Sequence, residues 1–333
     1  MAGLADRLIK AVKSNNGAYF MNEENCIANQ KDDNFIQTRI PMLNLALGGS
    51  VDKGLGAGVT VFAGPSKHFK TSYGLECMSA FQKKYKDGMC VYLDSEFGSM
   101  DVLDNFDIDR NRVLHIPIVD IEELKFNVVS ILNDISRDDR LFLFVDSVGN
   151  LASRKEIEDM EAGKSTTDMT RAKALKSFFR VITPKIMLNN VYTYFIAHTY
   201  DTQEIFSKKI VSGGQGITYS ANTAIIVGKS QVKNGTELNG FQFTLNIDKS
   251  RTIKEKAKIP IVVTFEDGIL PYSGLSEVAV ELGIVQKVKR RSNMLVFKDV
   301  EIKEKESGTA KEFWVKVFKE SNLKEEIEKK YKL

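Results

Sequence analysis

The densest chemistry in the chain lies in eight consecutive residues, Gly64-Pro65-Ser66-Lys67-His68-Phe69-Lys70-Thr71. They follow an apolar stretch, Ala57–Ala63, and lead into a helical pattern over Thr71–Lys86. Strand, loop and helix in that order make a phosphate cradle. Backbone N–H groups at the helix start face the loop, and the helix dipole favours an anion there. In such a cradle Lys70 neutralises the β- and γ-phosphates and the Thr71 hydroxyl ligates Mg2+, with Ser72 just inside the helix. Phe69 stands where the pattern GxxxxGK[ST] has its second glycine, so an ordinary right-handed backbone is expected at that residue.

Three further strand ends carry polar groups. Asp146 closes the continuous apolar run Leu141–Val145, the position of a carboxylate that holds Mg2+ through water. Asp94-Ser95-Glu96 follows Met89–Leu93, and Glu96 is the candidate for orienting and activating an attacking water. His198 ends Tyr194–Ala197, where it could hydrogen-bond a γ-phosphate and sense its loss. His68 and His115 have no partner acid at a suggestive spacing and read as structural or exposed. No Ser-His-Asp or Cys-His set is present, so covalent nucleophilic catalysis is not indicated.

The elements that must position these groups alternate. Strand patterns at Ala57–Ala63, Met89–Leu93, Leu141–Val145 and Val191–Ala197 are separated by helical ones at Thr71–Lys86, Ile121–Ser136 and Arg171–Leu188, the last interrupted at Pro184. This rhythm predicts an α/β fold, a mainly parallel sheet with helices on both faces and its ligand site at the carboxyl ends of the strands. After Gly213 the pattern changes to strands at Thr223–Gly228, Phe241–Asp248 and Ile259–Phe265 joined by polar turns, which extend the sheet as antiparallel hairpins. Three units are expected: a leader over 1–35 with a helix at Leu4–Ser14, a core over 36–272, and a small charge-rich unit over 273–333. Trp314, the only tryptophan, reads as core of that last unit.

Composition narrows the class. The 333 residues are 43% hydrophobic and 27% charged, enough to bury a sizeable core and exclude wholesale disorder. No apolar run spans a bilayer, and the N-terminus lacks the apolar segment of a signal peptide. Cys26, Cys77 and Cys90 are an odd, scattered set without metal-ligand spacing, which argues against a disulfide framework and for a reducing cytoplasm. Net charge is only +3, so any nucleic-acid site must be local. The basic excess gathers after Gln286, interleaved with acids, in the manner of a solvated amphipathic helix.

Taken together, the residues resemble the RecA/Rad51 recombinase superfamily, and within it the branch found in T-even-type bacteriophages. The matching segments include Ile40–Leu47, the loop Gly64–Thr71, Asp94–Gly98, Phe144–Ser153, Asp168–Lys173, Ala197–Tyr200, Gln203–Lys208 and Lys249–Thr252. The phage branch shares the phenylalanine in the phosphate loop and the histidine after the later strand. The resemblance implies a RecA-type ATPase core that uses ATP and Mg2+, polymerises as a helical filament on single-stranded DNA and exchanges strands with homologous double-stranded DNA. It also implies a single-strand-binding protein and a loading mediator as partners, with no membrane association.

Loops at about Arg154–Asp168 and Tyr200–Gly216 would line the filament axis. Both are polar, contain glycine and directly follow active-site strands. Arg154, Lys155, Lys164, Arg171, Lys208 and Lys209 there would neutralise phosphates, Gly213 and Gly214 would admit the backbone closely, and Ile205 or Phe206 would wedge between bases. Lys249 and Arg251 match residues that reach a neighbouring subunit's ATP in this family, in the manner of an arginine finger. An adenine-stacking aromatic is implied shortly after Glu96, yet Ser99–Asn105 contains none, and the relatives' acidic tail is absent before Leu333. Two other readings are a hexameric helicase, disfavoured by the short leader, and a non-hydrolysing DNA-binding filament paralogue, disfavoured by intact Lys70, Thr71, Glu96 and Asp146.

Overall fold

The computed structural model describes residues 4–12, 20–21, 34–98, 100–164, 169–201, 209–212 and 214–333. In chain order the first elements are α1 (Leu4–Ala11), α2 (Pro41–Gly48), β1 (Thr60–Ala63), α3 (Lys70–Lys84), β2 (Met89–Asp94) and β3 (Val113–Pro117). Next come α4 (Ile121–Asp134), β4 (Leu141–Asp146), α5 (Arg154–Glu161), α6 (Met169–Leu188), β5 (Tyr192–Ala197), β6 (Thr199–Asp201), β7 (Lys209–Val211) and α7 (Gln215–Ser220). The chain closes with β8 (Thr223–Asn234), β9 (Glu237–Ser250), β10 (Lys258–Thr264), β11 (Gly268–Ile269), α8 (Leu275–Glu281), β12 (Gln286–Lys289), β13 (Asn293–Phe297), β14 (Val300–Lys303), α9 (Lys311–Glu320) and α10 (Leu323–Tyr331).

Nine strands form one sheet in the order β11-β10-β9-β8-β1-β5-β4-β2-β3. Every pairing from β8 through β1 to β3 is parallel, and the β8–β9–β10–β11 side is antiparallel. Period and burial explain the helices. In α4, Ile121, Leu124, Val128 and Leu132 are buried on one face, and Asp120 caps the helix by accepting the Glu123 N–H at 2.6 Å. Two apolar layers result. One joins α4, α6 and α7 to one sheet face, and the other joins α2 and α3 to the opposite face. The second layer continues without a break into Leu295, Trp314, Val317 and Ile327 of the C-terminal unit, where Trp314 is fully buried and its indole N–H donates to Ser307 O. No helix among the described residues is long and apolar enough to cross a membrane.

Several expectations are corrected. Helix α6 runs through Pro184 without interruption, because Phe178, Phe179, Ile182 and Ile186 bury its face and tertiary packing outweighs the lost hydrogen bond. The stretch from Arg154 begins as helix α5, closed by a capping box in which the Ser153 hydroxyl accepts the Glu156 N–H and the Glu156 carboxylate accepts the Ser153 N–H. The second stretch starts as a two-stranded ribbon of β6 and β7 that pairs Thr199 with Val211 and Asp201 with Lys209. The hairpin strands β8 and β9 are far longer than the apolar runs that mark them, since the ends beyond those runs, residues 229–233 and 237–239, are largely exposed.

Candidate nucleotide and nucleic-acid site

The four candidate groups come from neighbouring strands. In sheet order β1, β5, β4, β2, the carboxyl ends carry the phosphate loop, His198, Asp146 and Glu96. Cross-strand bonds hold these ends in register. The Ser95 N–H donates to Asp146 O at 2.8 Å, the Ser95 hydroxyl to Ser147 O at 2.8 Å, and the Val148 N–H to Ile196 O at 2.9 Å. The Asp146–Ser147 peptide is cis.

The phosphate loop departs from expectation at Phe69, which adopts the left-handed conformation (φ 63°, ψ 15°) and forms the N-cap of α3. A non-glycine residue there costs roughly 1–2 kcal/mol. The ring offsets this by stacking on Phe243 at 5.3 Å and meeting the edge of Tyr73 at 5.6 Å. Lys67 is also left-handed, and the Lys229 ammonium donates to its carbonyl at 3.2 Å while lying 3.7 Å from the Phe241 ring centroid. Lys70 donates to Gly64 O at 2.9 Å and Pro65 O at 2.8 Å, which holds its ammonium at the centre of the loop. Burial lowers the Lys70 pKa, and the Asp146 and Glu96 carboxylates oppose that shift.

Thr71 and Asp146 meet directly. The Thr71 hydroxyl donates to Asp146 Oδ2 at 2.6 Å, whereas Asp146 Oδ1 is buried with no hydrogen-bond partner. An orphaned carboxylate oxygen beside a hydroxyl is a donor set that suits a hard divalent cation. Burial pushes the Asp146 carboxyl up to about 7; Thr71 and Lys70 counter the shift and the nearby Glu96 and Asp94 add to it. The site therefore gains from a cation.

Glu96 and His198 are also in contact: Nε2 of His198 lies 3.0 Å from Oε1 of Glu96. That hydrogen bond is the main reason the Glu96 pKa falls below the ordinary carboxylate range. The His198 carbonyl in turn accepts the Ser212 N–H at 2.7 Å, just past β7. Gly149 packs so closely that a Cβ on it would sit 2.5 Å from His198 Cδ2. A cavity of about 910 Å3 opens in front of these groups. Its far walls hold residues that local motifs did not single out: Arg39, Phe106, Phe241 and Phe265. Phe106 lies one residue beyond the window in which no aromatic was found; the others come from sequence-distant segments.

Not all expected residues converge. Arg171, expected on phosphates, is used internally: Nε donates to Leu151 O at 2.8 Å, and Nη2 bonds Gly149 O and reaches Ser212 Oγ at 3.3 Å. It is a brace between two loop bases. Arg154 faces Asp120 and Lys155 pairs with Asp159 at 3.3 Å, both more than half exposed. Lys164 is exposed and follows Gly163, Lys209 lies in β7, and Gly214 caps α7 with φ 81°. Ile205, Phe206, Lys208 and Gly213 lie outside the described residues, as does Cys26.

Lys249 and Arg251 are remote from Lys70 in the same chain. Lys249 and Ser250 pair with Ala224 and Thr223, at the amino end of the parallel strands, and Lys249 donates to Thr218 O and Tyr219 O of α7. His115 is corrected as well. It has a partner acid, Asp94, at 3.2 Å.

Comparison with known proteins agrees with this geometry. Residues 23–270 match the RecA N-terminal domain. The "Recombination and repair protein" of Enterobacteria phage T4 is 43% identical over 343 aligned positions that cover 100% of this chain and 87% of that protein. "Protein RecA" of Chloroherpeton thalassium is 26% identical, with 72% of this chain and 68% of that protein covered, and that of Thermus aquaticus is 25% identical with 74% and 71% covered. A phosphate loop on β1, an acidic pair on β2 and β4, and a family match across three quarters of the sequence lead to one conclusion: the chain belongs to the RecA family.

Proposed function

We propose that this chain, a RecA-like recombinase, binds ATP and Mg2+ in the cavity and assembles as a helical filament on single-stranded DNA. There it hydrolyses ATP in a DNA-dependent way and exchanges strands with a homologous duplex. One observation carries the reading: the contact from Glu96 through His198 to Ser212, which joins the group suited to activating water to the base of the β6–β7 ribbon. Thr71 and Asp146 would hold Mg2+, which supplies charge neutralisation at the phosphates when bound. Lys70 neutralises the phosphate tail, Glu96 orients the attacking water, and the apolar wall with Phe106 and Phe265 receives the base. His198 either keeps Glu96 engaged or releases it, so nucleotide state and the order of the DNA-facing ribbon change together.

The basic groups expected on DNA are Arg154, Lys155, Lys164, Lys208 and Lys209, with Lys249 and Arg251 serving the adjoining protomer's phosphates. Leader helix α1 exposes Leu4, Leu8 and Ile9 and would dock on a neighbour. The core unit is assigned to 36–272 and the C-terminal unit to 273–333. A single-strand-binding protein and a mediator are the partners such a filament needs for loading, and the bacterial host's cytoplasm is where it would act.

The test is phosphate release with and without single-stranded DNA, followed by strand exchange on the same preparation. DNA-stimulated release that chelation of Mg2+ abolishes is expected. Equal oligonucleotide binding with Mg2+ chelated and no nucleotide would overturn the reading, and closed rings under the electron microscope would favour a helicase.

A further inference from the structure

His198 engages the Glu96 carboxylate, Asp94 holds the Glu96 backbone, and a residue on the edge strand holds Asp94. Asp94 is 1% exposed, yet its carboxylate is fully used. Oδ1 accepts the backbone N–H of Glu96 at 2.9 Å and of Phe97 at 3.0 Å, which closes the turn that leaves β2 with Phe97 in the left-handed region (φ 50°). Oδ2 faces Nε2 of His115 at 3.2 Å. The register explains the reach. His115 on β3 pairs with Tyr92 on β2, so both share a face with Asp94 two residues further on, and the Tyr92 and His115 rings lie 5.6 Å apart. Among the described residues His115 is the only side chain donating to Asp94. Asp146 stands opposite Asp94 on β4, so the second carboxylate beside it repels rather than steadies it.

We infer that His115 is a positioning residue for ATP turnover: it orients the Asp94 carboxylate, which sets the turn that presents Glu96 to the attacking water. The chemistry favours this over simple packing. A buried carboxylate with one oxygen on two backbone donors can rotate unless the other oxygen is also held, and rotation would release the Glu96 and Phe97 N–H groups together. A small displacement of a general base lowers the rate of the chemical step and leaves ground-state binding alone. Among the described residues no hydrogen bond or ion pair joins His115 or Asp94 to the phosphate loop, so nucleotide affinity is not expected to depend on them.

The inference rests on Glu96 as the group that activates water, and a set of variants separates the two. Steady-state phosphate release at saturating single-stranded DNA, nucleotide binding and thermal midpoint are measured for the parent, Glu96→Gln, His115→Ala and His115→Gln. Expected are near-complete loss of turnover in Glu96→Gln, a 3–10-fold fall in kcat for His115→Ala with nucleotide Kd within twofold of the parent, and recovery to within twofold in His115→Gln, which keeps a donor. Parental kcat in His115→Ala beside an inactive Glu96→Gln overturns the inference. So does an equal loss in His115→Ala and His115→Gln, because the hydrogen bond would then not be the cause. Normal turnover in Glu96→Gln instead overturns the underlying reading, whatever His115 does.

Discussion

The Phe69 ring stacks on Phe243 with centroids 5.3 Å apart, and this contact allows a phosphate loop to turn through a left-handed residue that is not glycine. Strain at Phe69 and packing on β9 are thus coupled. Glycine at this position would relieve the strain, at roughly 1 kcal/mol, but forfeit the ring contact. Alanine would keep the strain and lose the ring. The expected order of stability is Phe69, then Phe69→Gly, then Phe69→Ala, with about 1 kcal/mol between the last two. Urea unfolding of the three proteins checks it. Alanine at or above glycine would show that the left-handed turn is not strained.

Gly149 makes a sharper probe of the site than any polar residue. A methyl group there would stand 2.5 Å from His198 Cδ2 and 2.9 Å from its backbone nitrogen, so His198 or the Gly149 backbone must shift and the contact with Glu96 is disturbed. Gly149→Ala is expected to fold, bind nucleotide within about threefold of the parent, and lose tenfold or more of DNA-stimulated phosphate release, as a misplacement of about 1 Å does elsewhere. Loss of nucleotide binding instead would place the damage in the phosphate loop.

Stability should depend on pH in a direction unusual for a carboxylate. Burial pushes Asp146 up to about 7, against about 3.9 for a free aspartate. Between these values the folded chain retains a proton that the unfolded chain has lost. The stabilisation is therefore complete below pH 4 and gone above pH 7. Asp146→Asn, which mimics the protonated form, is expected to match the parent at pH 4 and exceed it by about 1–3 kcal/mol at pH 8 in EDTA. Denaturant unfolding at both pH values measures the gap. Mg2+ should stabilise the parent at pH 8 and leave Asp146→Asn unchanged, because only a carboxylate gains from the cation.

The parts legible in the sequence were those whose signal is local. Continuous apolar runs marked β1, β2, β4 and β5, and the polar residue ending each run proved to line one sheet edge. Strand β3 escaped because it is an edge strand with an interrupted burial pattern, and His115 lost its partner acid with it. Helix α5 escaped because none of its side chains is buried, although Ser153 and Glu156 spelled out a capping box. The left-handed Phe69 could not be read locally, since its compensation sits on Phe243, 174 positions away. The same holds for Arg171. A loop arginine suggests an anion, and only the folded chain brings the carbonyls of Gly149 and Leu151 to it.

The distance between Lys70 and Arg251 within one protomer gives the assembly its own test. Lys70 lies at the carboxyl end of the parallel strands, whereas Ser250 pairs with Thr223 at the amino end, which puts Lys249 and Arg251 beyond reach of their own phosphate loop. If these cations serve an adjoining protomer, a Lys70→Ala subunit still offers an intact Arg251, and an Arg251→Ala subunit still offers an intact Lys70. Each variant alone is expected to lose at least tenfold in DNA-stimulated phosphate release. Mixed in equal amounts, random order along the filament restores both groups at about a quarter of the junctions, and turnover should rise toward that fraction of the parental rate. A ratio series is expected to peak at equal amounts, because any excess of one variant creates more junctions between like subunits, each of which lacks one of the two groups. Turnover that stays at the sum of the separate variants at every ratio would mean that no site is shared. Lys249 would then serve only the carbonyl end of α7, where it already bonds Thr218 and Tyr219.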